Sequence, residues 1–166
     1  SYVWHYQTTP GETWDFTATQ HIIVADLRIN GSKRRVVMQA PKNGFFYVLD
    51  AKTGKLLSAN NFVPVNWATG IDLKTGRPIP TPDSRYDQTG KPFVTMPSAQ
   101  GAHAWHPMSF NPQTGYVYLP AVLTTFTFWT DPDYKLREMA PNTGTRPVSA
   151  SFYEEQKIER PPPSSA

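Results

Sequence analysis

The chain has 166 residues, of which 17% are charged, 13% are aromatic and 39% are hydrophobic, with 17 prolines, 10 glycines and no cysteine. Few charges and many aromatics and turn-formers predict a loop-rich, ordered all-β protein, since an average soluble domain is roughly 25% charged. A helical bundle and a wholly disordered chain are excluded, and no apolar window of about 18 residues could cross a membrane. Disulfides, thiolate metal sites and cysteine nucleophiles are excluded as well.

The basic residues are scattered, and the net charge is only +3, from 16 Lys and Arg against 13 Asp and Glu. The densest basic run is Lys33, Arg34 and Arg35, which lies beside a predicted turn. A solvated hairpin tip is the favoured interpretation of this run, because nucleic-acid binding needs a larger basic face. We therefore expect no nucleic-acid partner.

The clearest organisation lies between about residue 21 and residue 60, where four short segments are rich in β-branched and apolar residues. Such runs predict strands, and the Asn-Gly pairs that separate the first three are strong hairpin signals. Four strands joined by three tight turns predict one antiparallel sheet. The predicted strands are residues 21–29, 34–40, 45–50 and 55–59.

A D-x-K-T-G turn recurs along the chain. The Asp or Asn side chain accepts backbone N–H groups in such a turn, and glycine takes the positive φ that closes it. Several copies in a short chain indicate a repeated hairpin, which is typical of a propeller built from four-stranded blades. The copies are residues 50–55, 72–77 and 111–115, with a shorter variant at 87–91.

The rest of the chain is less regular. Residues 61–101, dense in Pro, Thr and Gly, predict a long excursion with one hairpin turn. Residues 105–110, 116–121 and 122–129 are predicted strands of a further blade, 131–147 a loop, and 151–158 a strand or a short helix. Both ends, including the final PPPSSA, resemble cuts inside a larger protein. We expect one complete blade and parts of its neighbours, because a closed propeller needs about four or more blades.

Asp15 is the first candidate for chemistry, because it lies between two aromatic residues in the segment GETWDFTATQ. A carboxylate buried there would suit a general base, and it could equally ligate a hard cation such as calcium. The alternative is an aspartate that caps a turn after Pro10 and Gly11.

Lys42 is the second candidate. It lies in the predicted Asn-Gly turn between the second and third strands. One end of a propeller's blades commonly faces a ligand, and a lysine there can donate to an anionic or carbonyl-bearing cofactor. The alternative is an exposed turn lysine.

Trp105 is the third candidate and lies between His103 and His106 in GAHAWHPMSF. An H-x-x-H spacing brings two imidazoles together on a helix, but Pro107 and the alternation of apolar residues favour a strand. In a strand a spacing of three places the two rings on opposite faces, which disfavours a metal pair. Core or docking positions are expected for the other tryptophans.

Four long blocks of the chain together resemble the quinoprotein alcohol dehydrogenases, in the order typical of that family. The resemblance covers nearly the whole chain. It is closest to the soluble or haem-bearing alcohol dehydrogenases, because methanol dehydrogenase typically has Arg where this chain has Lys42. The blocks are WHYQTTPGETWDFTATQ, QAPKNGFFYVLDAKTGKLLSA, NFVPVNWATGIDLKTGRP and GAHAWHPMSFNPQTGYVYLPA.

The resemblance implies an all-β, eight-bladed β-propeller, of which residues 1–166 are an interior fragment. It also implies a periplasmic enzyme that oxidises small alcohols to aldehydes with pyrroloquinoline quinone (PQQ) and calcium, and passes electrons to an acceptor such as a cytochrome c. Haem c, where the family has it, would lie outside this segment. The other calcium ligands and the quinone-stacking residues come from other blades, so the isolated chain is expected to be inactive.

Site roles follow from the same resemblance. Asp15 matches the aspartate that contacts calcium and takes the proton of the alcohol's hydroxyl group. Lys42 matches the lysine that hydrogen-bonds the quinone's reactive carbonyl region and stabilises the charge that develops there. Trp105 matches a position beside the quinone pocket. Where the family usually reads GAHNWHPM, this chain has Ala104, so the quinone would lose a side-chain partner.

Two alternatives remain open at this point. One is a non-catalytic propeller scaffold or binding module, which Ala104 favours slightly and the retention of Asp15 and Lys42 disfavours more. The other is a quinoprotein that acts on a sugar or a polymeric alcohol, since the family's substrate-pocket residues are not all in this chain.

Overall fold

A four-stranded antiparallel sheet dominates the structure, a computed structural model that describes residues 1–146, 148, 150–155 and 157. Each observed strand begins and ends within two residues of its predicted bounds, so the prediction of a four-stranded antiparallel sheet is confirmed. The strands pair in chain order and are β1 (Ile23–Ile29), β2 (Ser32–Gln39), β3 (Phe45–Asp50) and β4 (Leu56–Asn61). We call this sheet the blade.

The repeated turn forms the same hydrogen bonds in three places. Asp50 Oδ1 accepts from the amides two and three residues further on, both at 3.0 Å, and the amide of Gly54 donates to the Asp50 carbonyl oxygen at 2.8 Å. Asp72 and Asn111 accept from the equivalent amides of their own turns. The side-chain chemistry inferred from the repeat is therefore correct at these three turns.

Six shorter strands follow the blade, and they form three two-stranded sheets. The strands are β5 (Ala68–Asp72), β6 (Arg77–Pro80), β7 (Phe93–Thr95), β8 (Ser109–Asn111), β9 (Tyr116–Tyr118) and β10 (Phe126–Phe128). The hairpins β5–β6 and β8–β9 were expected. The prediction that 122–129 joins the sheet of 105–121 is wrong, because β10 pairs with β7 in the excursion. This pairing joins segments far apart in sequence, and no local pattern indicates it.

The shorter variant at 87–91 differs from the three repeated turns. Tyr86–Thr89 form one helical turn, α1, which ends at Gly90 with a φ of 66°. The segment was expected to be a shorter variant of the repeated turn, but Asp87 lies one residue closer to the glycine than the Asp or Asn of the repeated turns does. The Gly90 amide donates to the carbonyl oxygen four residues earlier, at 3.0 Å, as the glycines of the repeated turns do, but that residue is Tyr86 and not an Asp or Asn.

A second helix, α2 (Ala150–Glu155), decides between the strand and the short helix expected at 151–158. Residues 156 and 158 of that segment, residue 147 of the predicted loop, and the closing PPPSSA lie outside the described residues. Within the described part of the chain, no helix is long and apolar enough to cross a membrane.

An aromatic cluster packs against the blade and forms the core. The ring of Trp67 is fully buried, with its centre 5.2 Å from that of Trp14, 5.4 Å from that of Phe16 and 6.0 Å from that of Phe45. Such rings bury large apolar areas in tilted and edge-on arrangements. Trp14 and Phe16 flank Asp15 in sequence, so the core holds the backbone on both sides of that residue.

Candidate functional site

Asp15 lies in an unusual backbone conformation at the surface of this core. Its φ is 62°, the left-handed region that L-residues adopt at a cost of about 1–2 kcal/mol, although aspartate tolerates it better than most. The side chains of Trp14 and Phe16 point into the core, whereas that of Asp15 is 62% exposed. Strained residues of this kind cluster at functional sites, so the geometry favours a functional role for this carboxylate.

Glu12 supplies the carboxylate that satisfies the backbone of this segment. Its Oε1 atom accepts from the amide of Trp14 at 2.5 Å and from that of Phe16 at 2.8 Å. The alternative in which Asp15 caps the turn is therefore wrong: Asp15 Oδ2 pairs with Lys42 instead. Sequence reasoning missed Glu12, and the only signal for it was an acidic residue close before Asp15.

Lys42 is held on both sides of its ammonium group. Its Nζ donates to Asp15 Oδ2 at 3.0 Å and to the carbonyl oxygen of Ala99 at 2.9 Å. The side chain is only 17% exposed, so the alternative of an exposed turn lysine is wrong. The structure thus brings together Asp15 and Lys42, the first two residues that the sequence singled out.

A tight turn of residues 98–101, the 98–101 turn, covers the stem of Lys42. The amide of Gly101 donates to the carbonyl oxygen of Ser98 at 2.8 Å, and the amide of Ala102 donates to that of Lys42 at 2.9 Å. A Cβ on Gly101 would stand 2.3 Å from Cγ of Lys42 and 2.8 Å from its Cα, and the φ of Gly101 is +88°. Only glycine fits this contact without displacing Lys42.

Residues 84–86 of the excursion (residues 61–101) also contact the segment that leads into Asp15. Trp14 Nε1 donates to the carbonyl oxygen of Ser84 at 3.0 Å. The guanidinium group of Arg85 lies 5.1 Å from the centre of the Trp14 ring and donates to the carbonyl oxygen of Gly11. The Tyr86 hydroxyl donates to the carbonyl oxygen of Thr13. The Pro-rich excursion, which looked like a long loop in the sequence, therefore positions both candidate residues.

Trp105 is placed differently from the other two candidates. Its side chain is exposed, with a relative accessibility of 82%, and its ring stacks on that of His106 with a centre-to-centre distance of 4.0 Å. The expected strand at these residues is absent from the described structure, since β8 begins only at Ser109. His103 is fully buried, with its ring nitrogens 2.6 Å and 2.8 Å from the carbonyl oxygens of Ala40 and His106.

A cleft of about 350 Å³ opens beside Asp15. It is lined by two carboxylates, by Ala99 of the 98–101 turn and by aromatic residues, of which Tyr86 and Phe128 stack with their ring centres 5.0 Å apart. The lining residues are Glu12, Thr13, Asp15, Tyr86, Ala99, Phe126, Phe128, Thr143 and Thr145. A larger cleft, of about 630 Å³, lies between β4 and β5 and is lined by none of the candidate residues.

The hydroxyl group of Tyr86, which lines the cleft, does not act as a proton acceptor. Burial raises the pKa of Tyr86, more than the hydrogen bond to Thr13 lowers it. The hydroxyl therefore stays protonated at neutral pH, and its hydrogen is committed to the Thr13 carbonyl oxygen. The groups on the cleft that can accept a proton from a ligand are the carboxylates of Asp15 and Glu12, and Glu12 is engaged with the backbone.

Asp15 and Lys42 carry groups that fit an anionic quinone and a hard cation. An ammonium group has three N–H donors, and among the described residues two atoms accept from Lys42 Nζ. Carboxylate oxygens are the ligands that Ca²⁺ prefers. The described residues include no group of three or more His, Asp or Glu side chains that could hold a metal ion, so Asp15 could contribute one ligand to a site.

Comparison with known proteins identifies the family. Residues 1–95 match the family model described as "PQQ: Glucose/ethanol/alcohol dehydrogenase, beta-propeller domain". The chain is 60% identical over 121 residues to the quinohemoprotein alcohol dehydrogenase ADH-IIG of Pseudomonas putida, covering 72% of this chain and 17% of that protein. It is 50% identical over 155 residues to the quinohemoprotein alcohol dehydrogenase of Comamonas testosteroni, covering 92% of this chain and 22% of that protein.

The structure agrees with the sequence comparison. The solved structure of the quinohemoprotein alcohol dehydrogenase ADHIIG from Pseudomonas putida HK5 superposes with a TM-score of 0.83 and 51% identity, over 87% of this chain and 22% of that one. The chain thus spans about a fifth of the length of these relatives. The fold expected from the sequence, part of a β-propeller, is confirmed. With more than half of its residues matched by the family model, the chain belongs to the PQQ β-propeller family of glucose, ethanol and alcohol dehydrogenases.

Proposed function

We propose that the protein containing this chain is an alcohol dehydrogenase that uses PQQ, with Asp15 as its general base. The observation that carries the proposal is the ion pair of Lys42 Nζ and Asp15 Oδ2, 3.0 Å apart, in a chain of the PQQ family. Asp15 also lines a cleft. PQQ, when bound, supplies the quinone that accepts the two electrons removed from the alcohol.

Asp15 accepts the hydroxyl proton of the alcohol. Its carboxylate is exposed at the cleft, within reach of a small ligand, and its left-handed backbone directs it away from the core that holds its two neighbours. The same carboxylate would be one ligand of a calcium ion, whose other ligands are not in the described residues. Calcium is a proposal from the chemistry of the carboxylate and from the resemblance.

Lys42 provides the positive charge of the site. Its ammonium group is fixed by Asp15 and by the carbonyl oxygen of Ala99, and its third N–H would donate to an oxygen of the quinone. Donors that are already oriented stabilise developing negative charge without reorganising, which is the usual source of electrostatic catalysis. Trp105 would contribute the exposed face of its ring to the cofactor pocket.

The cleft favours a small alcohol with a hydrocarbon body. Phe126 and Phe128 line the same cleft as Asp15, and burying a methylene group against such apolar rings is worth about 0.8 kcal/mol. The hydroxyl groups of a sugar would find no hydrogen-bond partner on these two rings. We further propose haem c elsewhere in the protein, an acceptor such as a cytochrome c and a periplasmic location, with the quinohemoprotein relatives supporting the haem.

Reconstitution of the full-length protein tests this function. The cofactor-free protein is mixed with PQQ, calcium and 1-butanol, and reduction of an artificial electron acceptor is followed. Turnover that needs both PQQ and alcohol is expected, with kcat/KM rising from ethanol to 1-butanol and low for glucose. PQQ binding without turnover on any alcohol or sugar would contradict the proposal and support the scaffold alternative.

A further inference from the structure

Glu12 bridges two backbone amides on either side of Asp15, in the Thr13–Trp14 and Asp15–Phe16 peptide groups. A single oxygen, Oε1, accepts from the amide of Trp14 and from the amide of Phe16. Two amides separated by one residue point at a common acceptor when the residue between them is left-handed, and such backbone concavities bind anions. Asp15, with a φ of 62°, is that residue. The conformation of Asp15 and the contacts of Glu12 are therefore one structural unit.

The contacts of the neighbours show what Glu12 adds to this unit. Trp14 and Phe16 are almost fully buried, and Trp14 is also held by Ser84 and Arg85. These contacts anchor the side chains of the flanking residues, and the Tyr86 hydroxyl holds the Thr13–Trp14 peptide group through its carbonyl oxygen. Among the described residues, only Glu12 accepts from the amide of the Asp15–Phe16 peptide group. By joining the amides of Trp14 and Phe16, Glu12 fixes the backbone before and after Asp15 and, with it, the direction in which the Asp15 carboxylate leaves the backbone.

We propose that Glu12 is a positioning residue for Asp15. Its carboxylate holds the left-handed backbone that directs Asp15 towards Lys42 and the cleft. The inference rests on the proposed function, because it assigns Glu12 a role through the base at Asp15. Glu12 itself lines the cleft, so a direct role on the ligand is the competing explanation, and the test has to separate the two.

The amide variant Glu12→Gln separates them. Glutamine keeps an Oε1 acceptor at the same distance from the backbone but has no charge and cannot take a proton at neutral pH. A positioning role therefore tolerates Gln, whereas a role in proton transfer or charge does not. Glu12→Ala removes the acceptor, and Glu12→Met removes it while keeping the length of the side chain, in case the alanine variant does not fold.

The experiment uses the full-length protein reconstituted with PQQ and calcium. It measures kcat and KM for 1-butanol in the three Glu12 variants and in Asp15→Asn, with Glu138→Ala as the matched control, since Glu138 is an exposed glutamate outside the site. In parallel, amide hydrogen exchange of a peptide spanning residues 12–17 is followed in the cofactor-free protein. This second readout does not depend on activity.

Glu12→Ala and Glu12→Met are expected to lower kcat by about 10- to 100-fold with little change in KM, because small misplacements of a catalytic group cost up to about 10²-fold. Glu12→Gln and Glu138→Ala are expected to stay close to the parent protein. The amides of Trp14 and Phe16 should exchange faster in the Ala and Met variants but not in Gln.

Three results would overturn the inference. A normal kcat in Glu12→Ala, together with an inactive Asp15→Asn, would show that Glu12 is not a positioning residue and would leave the proposed function intact. Equal losses in Gln and Ala would assign Glu12 a charge or proton-transfer role instead. Unchanged amide exchange in both Ala and Met would show that the bridge does not hold the backbone. Near-normal kcat in Asp15→Asn would instead contradict the proposed function itself.

Discussion

Lys42 and Trp105 are both assigned to the quinone pocket by resemblance, yet their side chains differ sharply in burial and in contacts. Lys42 is 17% exposed, donates to two oxygens and lies beneath the 98–101 turn. Trp105 is 82% exposed, and its ring contact is the neighbouring His106. The position of Lys42 is built into this chain, whereas the described residues leave the orientation of Trp105 open. A family motif therefore does not by itself indicate a preorganised residue.

The Lys42 region and the Trp105 region are expected to differ most in how much the removal of a tryptophan lowers the free energy of unfolding. Trp67 is fully buried, and its Nε1 donates at 2.9 Å to the carbonyl oxygen of Asn43, the residue after Lys42. Trp67→Ala is expected to lower the free energy of unfolding by about 3–5 kcal/mol, the usual cost of removing a large buried aromatic side chain. Trp105→Ala, the matched control, is expected to cost little. Denaturant unfolding of the full-length variants measures both, and equal losses would contradict the comparison.

Much of the Lys42 region follows from the sequence because its signals are local. The blade strands appear as β-branched runs, and its turns carry Asn-Gly or D-x-K-T-G. The roles of Asp15 and Lys42 came from resemblance, since local sequence left each with a structural alternative. The burial of Lys42 could not be predicted, because it depends on the 98–101 turn folding back from a distant part of the chain.

The same reasoning explains the errors in the second half. The turn expected at 87–91 is one residue shorter than the repeated turns, so Tyr86 and not an Asp or Asn stands four residues before the glycine, and the segment forms the helical turn α1. The strand at 126–128 was found, but its partner was not, because β7 lies in the excursion and is only three residues long. Pairing between short, distant strands is decided by tertiary packing rather than by sequence pattern.

A glycine substitution tests whether the 98–101 turn holds Lys42. Gly101→Ala places a Cβ against the Lys42 stem at a φ of +88°, so we expect a loss of about 2 kcal/mol or more in stability and a lower kcat. Gly115→Ala is the matched control, because Gly115 also has a positive φ, +75°, but no atom lies within 4 Å of an added Cβ. The control should lose only about 1 kcal/mol.

Thermal and denaturant unfolding, together with kcat for 1-butanol, measure the two glycine variants. If both lose the same stability and neither changes kcat, the contact between Gly101 and Lys42 has no functional consequence. The closeness of the two chain segments would then be a packing detail.

Ala104→Asn tests whether an added hydrogen-bond donor next to Trp105 improves cofactor binding. Ala104 is half-buried between buried His103 and exposed Trp105. Asparagine can donate to a quinone oxygen, and a hydrogen bond to a charged acceptor is worth about 1.5–3 kcal/mol at best. We expect tighter PQQ binding, measured by titrating PQQ into the cofactor-free proteins, or a higher kcat for 1-butanol, measured by turnover. Weaker binding would mean that Asn overpacks a pocket adapted to alanine.

The smallest expected effect is an acid-dependent difference between the repeated turns. The hydrogen bond from the Thr53 side chain lowers the pKa of Asp50, and the backbone amide of Lys74 lowers that of Asp72, whereas Asn111 does not titrate. A carboxyl group with a lowered folded-state pKa stabilises the fold above its unfolded-state pKa, and this contribution is lost as the pH falls through the folded-state value.

Acidification below about pH 4, the ordinary range of aspartate, should therefore weaken the β3–β4 and β5–β6 turns but not the β8–β9 turn. Amide-exchange protection at Gly54, Gly76 and Gly115, corrected for intrinsic rates, measures this. Asp50→Asn should make the first turn as insensitive to acid as the third. Parallel loss of protection at all three glycines would indicate global acid unfolding instead.

The central claim is that Asp15 is the general base of the proposed alcohol oxidation, and Asp15→Asn tests it most directly. The amide can still contact calcium and Lys42 but cannot accept a proton at neutral pH. In the full-length protein we predict a kcat about 10²–10⁴-fold lower, with PQQ affinity and unfolding free energy close to those of the parent. Asp26→Asn, in the exposed β1–β2 hairpin, is the control. A near-normal kcat in Asp15→Asn would contradict the claim and leave Asp15 as the structural partner of Lys42.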